Sequence, residues 1–210
     1  RSCAHCGKRR EERPSTLSRV AAHFPMTHPI VSVELYVVTD RQLAGAIPLS
    51  RIVHDAIQGG ATIIQYREKS LPTRSMIEQA RILREVCGRT NTPFIINDRV
   101  DVALAVQADG VHLGQDDMIA TDARAILGPD AIIGVSVRSP QEAQAALQAG
   151  ADYLAANGIW DTATKTDHGK ALGLDALREL VQCTSLPLVA IGGIHKGNAR
   201  AVASTGASGI

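Results

Sequence analysis

Gly150-Ala151-Asp152-Tyr153-Leu154 reads as a helix stop feeding directly into a strand, and the phrase returns along the chain. It appears as Gly60-Ala61-Thr62-Ile63-Ile64, as Ala108-Asp109-Gly110-Val111 and as Gly206-Ala207-Ser208-Gly209-Ile210. Glycine supplies the left-handed residue that ends a helix, and the apolar residues beyond it suit a buried strand. Outward from these joints lie short β-branched runs at 35–39, 62–66, 93–96, 110–113, 131–137, 153–156 and 188–191. Each is apolar on successive residues, as strands buried on both faces of a parallel sheet must be. Ala-rich amphipathic stretches fall between them, among them 50–58, 74–86, 140–148, 175–181 and 196–204. Ser139-Pro140 offers an N-cap followed by proline at the first helical position.

Such β/α units leave two parallel architectures, the doubly wound open sheet and the eight-stranded barrel. No GxGxxG follows the first strand, and one joint reused around a ring favours a (β/α)8 TIM barrel. The phrase at Gly206 opens an eighth strand, and the sequence stops at Ile210. The expectation is a barrel truncated at the start of its eighth strand, with strands one and seven left unbridged as open edges.

The chain of 210 residues is 45% hydrophobic and 20% charged, with a net charge of +1. Aromatics make up 3%, too few for base-stacking platforms, and the charge gives no case for nucleic acid. No apolar run approaches the roughly 18 residues of a membrane span. Residues 1–25 concentrate Arg1, Lys8, Arg9, Arg10, Arg13 and Arg19 against Glu11 and Glu12, without apolar periodicity. Residues 1–32 are therefore expected to form a basic extension, unstructured or added upstream of a natural start at Met26, and residues 33–210 the catalytic barrel. Cys3 and Cys6 flank His5 in a CxxC, but no second ligand pair follows at finger-like spacing. Cys87 and Cys183 suit free thiols in a reducing cytoplasm, the expected location.

In a barrel of this kind, chemistry collects at the C-terminal ends of the strands. The second run ends in Gln65-Tyr66-Arg67-Glu68-Lys69, and alternation sends Gln65, Arg67 and Lys69 to one side. Converging donors of this kind suit an anion, whereas a solvated charge run is the plainer alternative. Asn97-Asp98 ends the third run and Gly114-Gln115-Asp116-Asp117 follows the fourth. Carboxylates beside a cationic strand end suit Mg²⁺ shared with substrate phosphate; the alternative is that they cap helices. His112 lies within its strand and reads as a satisfied barrel residue. The long loop after the sixth run carries Thr162-Ala163-Thr164-Lys165, and the seventh run ends in Ile191-Gly192-Gly193-Ile194. Hydroxyls, an ammonium and bare backbone N–H groups suit a second, metal-free anion site.

The ordered motifs QYREK, IIND, VHLGQDD, GVSV, TATK and AIGGI resemble the thiamine-phosphate synthase family from about Leu35 to Ile210. The resemblance implies a barrel that joins 4-amino-5-hydroxymethyl-2-methylpyrimidine diphosphate to 4-methyl-5-(2-hydroxyethyl)thiazole phosphate, or its carboxylate, and releases pyrophosphate with Mg²⁺. It assigns Gln65, Arg67, Lys69 and Asn97 to the pyrimidine diphosphate, Ser136 to a pyrimidine-side contact, and Asp98 and Asp117 to the metal. Thr162, Thr164 and Gly193 fall to the thiazole phosphate and Lys165 to the pyrophosphate. Arg67, Lys69, Ser136 and Lys165 are thus the expected catalytic set. The partners implied are these small molecules, with neither nucleic acid nor membrane, and a homo-oligomer left open. The chain departs from the family pattern at Asn157-Gly158, at Trp160-Asp161 and at Arg138, where relatives often carry His. Same-fold alternatives are a thiazole tautomerase, whose catalytic His would fall at Arg138, and a non-catalytic phosphate sensor. An indole-glycerol-phosphate type of barrel would want an internal Lys or Glu acid/base pair, which the strands do not offer.

Overall fold

The computed structural model describes residues 32–161 and 171–210. Cys3, His5, Cys6 and the rest of the basic extension up to residue 31, together with Thr162, Thr164 and Lys165, lie outside the described residues. The strands are β1 (Tyr36–Val38), β2 (Ile63–Tyr66), β3 (Phe94–Asn97), β4 (Gly110–Leu113), β5 (Ile132–Val137), β6 (Tyr153–Asn157) and β7 (Leu188–Ile191). They pair in parallel and in sequence order, as a barrel requires. The helices are α1 (Arg41–Ala44), α2 (Leu49–Gln58), α3 (Thr73–Gly88), α4 (Val100–Val106), α5 (Ala120–Leu127), α6 (Pro140–Gln148), α7 (Gly173–Cys183) and α8 (Ala199–Ala203). Among the described residues, no helix is long and apolar enough to cross a membrane.

The strands' period of two sorts their side chains into two cores. Ile64, Tyr66, Ile96, Val111, Leu113 and Ile133 face outward and pack against helix residues such as Val53, Ala80 and Leu83. Tyr36, Ile63, Ile95, Ile132, Tyr153 and Val189 fill the interior as a second cluster. Room for the Tyr153 ring comes from Gly134 across the β5–β6 register, where a Cβ would lie 2.0 Å from Tyr153 Cζ. Cys87 is buried and free, its thiol pushed up to about 12 by that burial, and Cys183 is also free.

The repeated phrase is one joint with one hydrogen-bond pattern. Its polar residue donates its backbone N–H to a carbonyl at the start of the preceding strand, and its side-chain oxygen accepts the N–H of that same residue. Asp109 does this with Phe94, at 2.9 and 2.7 Å. Asp152 does it with Ile133, at 2.7 Å for both bonds. Thr62 pairs with Leu35 and Ser208 with Leu188 in the same way. Arg84 and Arg124, from α3 and α5, hold the two aspartates in place. The residue two before each polar position ends a helix at positive φ: Gly60, Gly150 and Gly206 as expected, and Gln107 at 53° where the glycine is missing.

The expectation of two unbridged edges is corrected. Ser208 and Gly209 bond Leu188 and Ala190 of β7, while the Ile210 carbonyl accepts the Tyr36 N–H of β1 and its own N–H reaches Glu34. These few residues stitch the N-terminal ends of β7 and β1 together, because the fourth copy of the joint is intact.

Candidate active site

Near the C-terminal ends of the strands the interior turns from apolar to polar. Gln65, Asn97, His112, Ser136 and Asn157 occupy inward positions on successive strands, and with Arg67 and Thr39 they line one open cleft. Gln65 is 3% exposed and donates from Nε2 to the Tyr36 hydroxyl at 2.8 Å. Arg67, half-buried, is placed by its backbone N–H on Thr39 Oγ1 at 3.1 Å. No acceptor for its guanidinium, nor any partner for the buried Asn97 amide, appears among the described residues, so both donors are available to a ligand.

Lys69 lies beyond the strand end and is exposed, and its ammonium pairs with Asp98 across the mouth. Asp98 sits at φ 62°, a left-handed conformation that non-glycine residues rarely adopt. Its carboxyl meets that of Asp117, whose Oδ2 also accepts the Gly114 N–H at 2.7 Å. Burial, together with the hydrogen-bonded Asp98 carboxyl, raises the Asp117 carboxyl above its ordinary value. The capping alternative fails. The residues flanking the starts of α4 and α5 are Arg99 and Ile119, and neither helix has a side-chain cap. Asp116 is exposed and stands apart.

Ser136 Oγ accepts from Asn157 Nδ2 at 2.5 Å and lies 2.9 Å from His112 Nε2, while His112 Nδ1 lies 3.0 Å from the Tyr153 hydroxyl. His112 is therefore held on both ring nitrogens, as expected. Gly193 takes φ 65°, and a Cβ there would come within 2.7 Å of Trp160 Cβ, so only glycine lets the loop after β7 lie against the loop after β6. Its backbone N–H has no acceptor among the described residues and remains free for an anion. Arg138 donates to the Asn157 carbonyl at 2.7 Å.

Sequence reasoning missed Tyr36, Tyr153 and Asn157. Asn157 carried a readable signal, since Tyr153, Ala155 and Asn157 alternate inward; it was read only as a departure from a loop pattern.

Two carboxylates and no third His, Cys, Asp or Glu converge among the described residues. That donor set suits Mg²⁺, which is held by one or two carboxylates and leaves its other positions to water and phosphate oxygens. The neighbouring Asp98 and Asp117 carboxyls are compatible with a cation between them, and the Lys69 ammonium on Asp98 already supplies one positive charge beside the pair.

A family model described as thiamine monophosphate synthase matches residues 35–210. The thiamine-phosphate synthase of Clostridium novyi is 47% identical over 180 residues, covering 86% of this chain and 88% of the relative. That of Chloroflexus aurantiacus is 50% identical over 181 residues, covering 86% and 83%. The solved thiamine phosphate pyrophosphorylase from Pyrococcus furiosus superposes with a TM-score of 0.76 at 46% identity, covering 85% of this chain and 84% of that one.

Proposed function

Because the chain belongs to the thiamine monophosphate synthase family, we propose that its cleft joins 4-amino-5-hydroxymethyl-2-methylpyrimidine diphosphate to 4-methyl-5-(2-hydroxyethyl)thiazole phosphate. The products are thiamine phosphate and pyrophosphate. The observation that carries this reading is the pairing of Asp98 with Asp117 and Lys69 at the mouth, above unpartnered Arg67 and Asn97. Pyrophosphate leaves only when its growing charge is met. Arg67 and Lys69 supply fixed positive charge there, and Lys165 joins them in this reading. Asp98 and Asp117 would hold Mg²⁺, which neutralises diphosphate charge when bound. In this reading Lys69, exposed and paired with Asp98, turns to the diphosphate when it binds.

Loss of pyrophosphate leaves a cation on the pyrimidine methylene carbon, which the aminopyrimidine ring delocalises. The thiazole nitrogen captures it with its own lone pair, so the protein needs no general base. Gln65, Asn97 and Ser136 orient the ring, and the apolar walls at Val38 and Ile191 help keep water from the cation. Thr162, Thr164 and the Gly193 N–H take the thiazole phosphate. The tautomerase alternative finds no support at Arg138, whose guanidinium is engaged with the Asn157 carbonyl.

Changing Asp98 or Asp117 to Ala tests the reading. Each variant should keep its circular dichroism spectrum and lose Mg²⁺-dependent thiamine phosphate formation. Near-normal rates at ordinary Mg²⁺ would remove the metal assignment.

A further inference from the structure

Inside the barrel one hydrogen-bonded chain crosses from β2 to β5. It runs from Gln65 Nε2 to Tyr36 at 2.8 Å, from Tyr36 to Tyr153 at 2.6 Å, from Tyr153 to His112 Nδ1 at 3.0 Å and from His112 Nε2 to Ser136 Oγ at 2.9 Å. Gln65, Tyr36, His112 and Tyr153 are 3%, 6%, 4% and 0% exposed, so an unmatched proton here has no water to turn to. Burial raises the pKa of both phenols, so both keep their hydrogens.

Each phenol has one hydrogen to give, and this fixes a direction. Gln65 gives a hydrogen to Tyr36. Were Tyr153 also to give its hydrogen to Tyr36, the Tyr36 hydrogen would have no acceptor among the described residues. Every donor is matched only if Tyr36 donates to Tyr153 and Tyr153 donates to His112 Nδ1. His112 then carries its hydrogen on Nε2 and donates to Ser136. Ser136 Oγ, already accepting from Asn157, is left with its own hydrogen aimed at the cleft. At the other end the Gln65 Nε2 is committed to Tyr36, which leaves Oε1 for the cleft.

We infer that Tyr36, Tyr153 and His112 are positioning residues whose polarised hydrogen-bond chain makes Gln65 an acceptor and Ser136 a donor toward the cleft, a pair that reads an aminopyrimidine edge. The inference rests on the proposed reaction for the identity of that ring. An amino group donates and a neighbouring ring nitrogen accepts, so the pair is complementary to such an edge. Turning the Gln65 amide over would reverse every bond and put the imidazole hydrogen on Nδ1.

The test begins with ¹⁵N NMR of the imidazoles in the full chain at neutral pH, with His112 identified by its loss in His112→Asn. The expected state is hydrogen on Nε2 and none on Nδ1. A protonated Nδ1, in either the other tautomer or the imidazolium, overturns the inference without any functional variant. In Tyr153→Phe the His112 tautomer should become mixed, and kcat should fall roughly tenfold, the scale of one lost hydrogen bond, with KM for thiazole phosphate unchanged. In Tyr36→Phe the His112 signal should stay as in the wild type, because Tyr153 keeps its acceptor. Discrimination against a pyrimidine diphosphate lacking the amino group should nevertheless weaken, because Gln65 is released. An unchanged tautomer and kcat in Tyr153→Phe overturns the inference. A wild-type protein that shows the expected tautomer yet does not bind pyrimidine diphosphate overturns the proposed function instead.

Discussion

Replacing Asp109 with Ala removes one copy of the joint that builds the barrel, and the structure sets the scale of the loss. Asp109 is 5% exposed, and it accepts the N–H of Phe94, which is itself fully buried. Without the carboxylate that N–H has neither protein nor water to bond, a penalty of about 1–3 kcal/mol. Arg84 also loses its partner at 3.3 Å, but it is 28% exposed and can turn to solvent, adding at most about 1 kcal/mol. The expected cost is about 1–4 kcal/mol. Thr62→Ala deletes the same side-chain acceptor at another copy, where Leu35 is 37% exposed and water replaces the hydroxyl. That variant should cost about 0.5 kcal/mol or less. Urea unfolding followed by circular dichroism gives both values. Equal costs, or a cost for Asp109→Ala below that of Thr62→Ala, would refute the claim that burial of the joint sets its contribution.

Gly134→Ala would drive a methyl into the Tyr153 ring, so a loss of about 1–3 kcal/mol is expected, and an unchanged melt would contradict the Gly134–Tyr153 packing. Gln107→Gly, at an exposed left-handed position, should stabilise the fold by up to about 1 kcal/mol in the same unfolding assay. Arg67→Ala should weaken pyrimidine diphosphate binding by about 2–4 kcal/mol and leave thiazole phosphate binding unchanged in calorimetry; equal losses would show that the two anion sites are not separate.

The barrel was legible because its signals are local. The joint at Gly60, Gly150 and Gly206 needs a left-handed residue, and glycine marks it in the sequence. Strands buried on both faces leave continuous β-branched runs, and their observed limits differ from the expected ones by a residue or so at each end. Helices α1, α4 and α5 were not among the stretches read. Val100–Val106 is too rich in β-branched residues to show a helical face, and Arg41–Ala44 is a single turn capped by Asp40. In the site, alternation correctly placed Gln65 and Arg67 on the cleft, but it could not place Lys69, which lies past the strand and reaches Asp98. Tyr36 and Tyr153 read as apolar core because a sequence does not show that two hydroxyls from β1 and β6 meet. The backbone bonds of Ser208–Ile210 to both neighbouring strands were invisible for the same reason: they depend on closure around the ring.

The central claim is that one cleft couples two phosphorylated heterocycles with release of pyrophosphate. The most direct measurement incubates the chain with both substrates and Mg²⁺ and quantifies thiamine phosphate and pyrophosphate together over time. Equal amounts of the two products are predicted, with neither formed when the thiazole phosphate is omitted and water is kept from the pyrimidine cation. Pyrophosphate released without matching thiamine phosphate, or no product from folded protein that binds both substrates, would contradict the account.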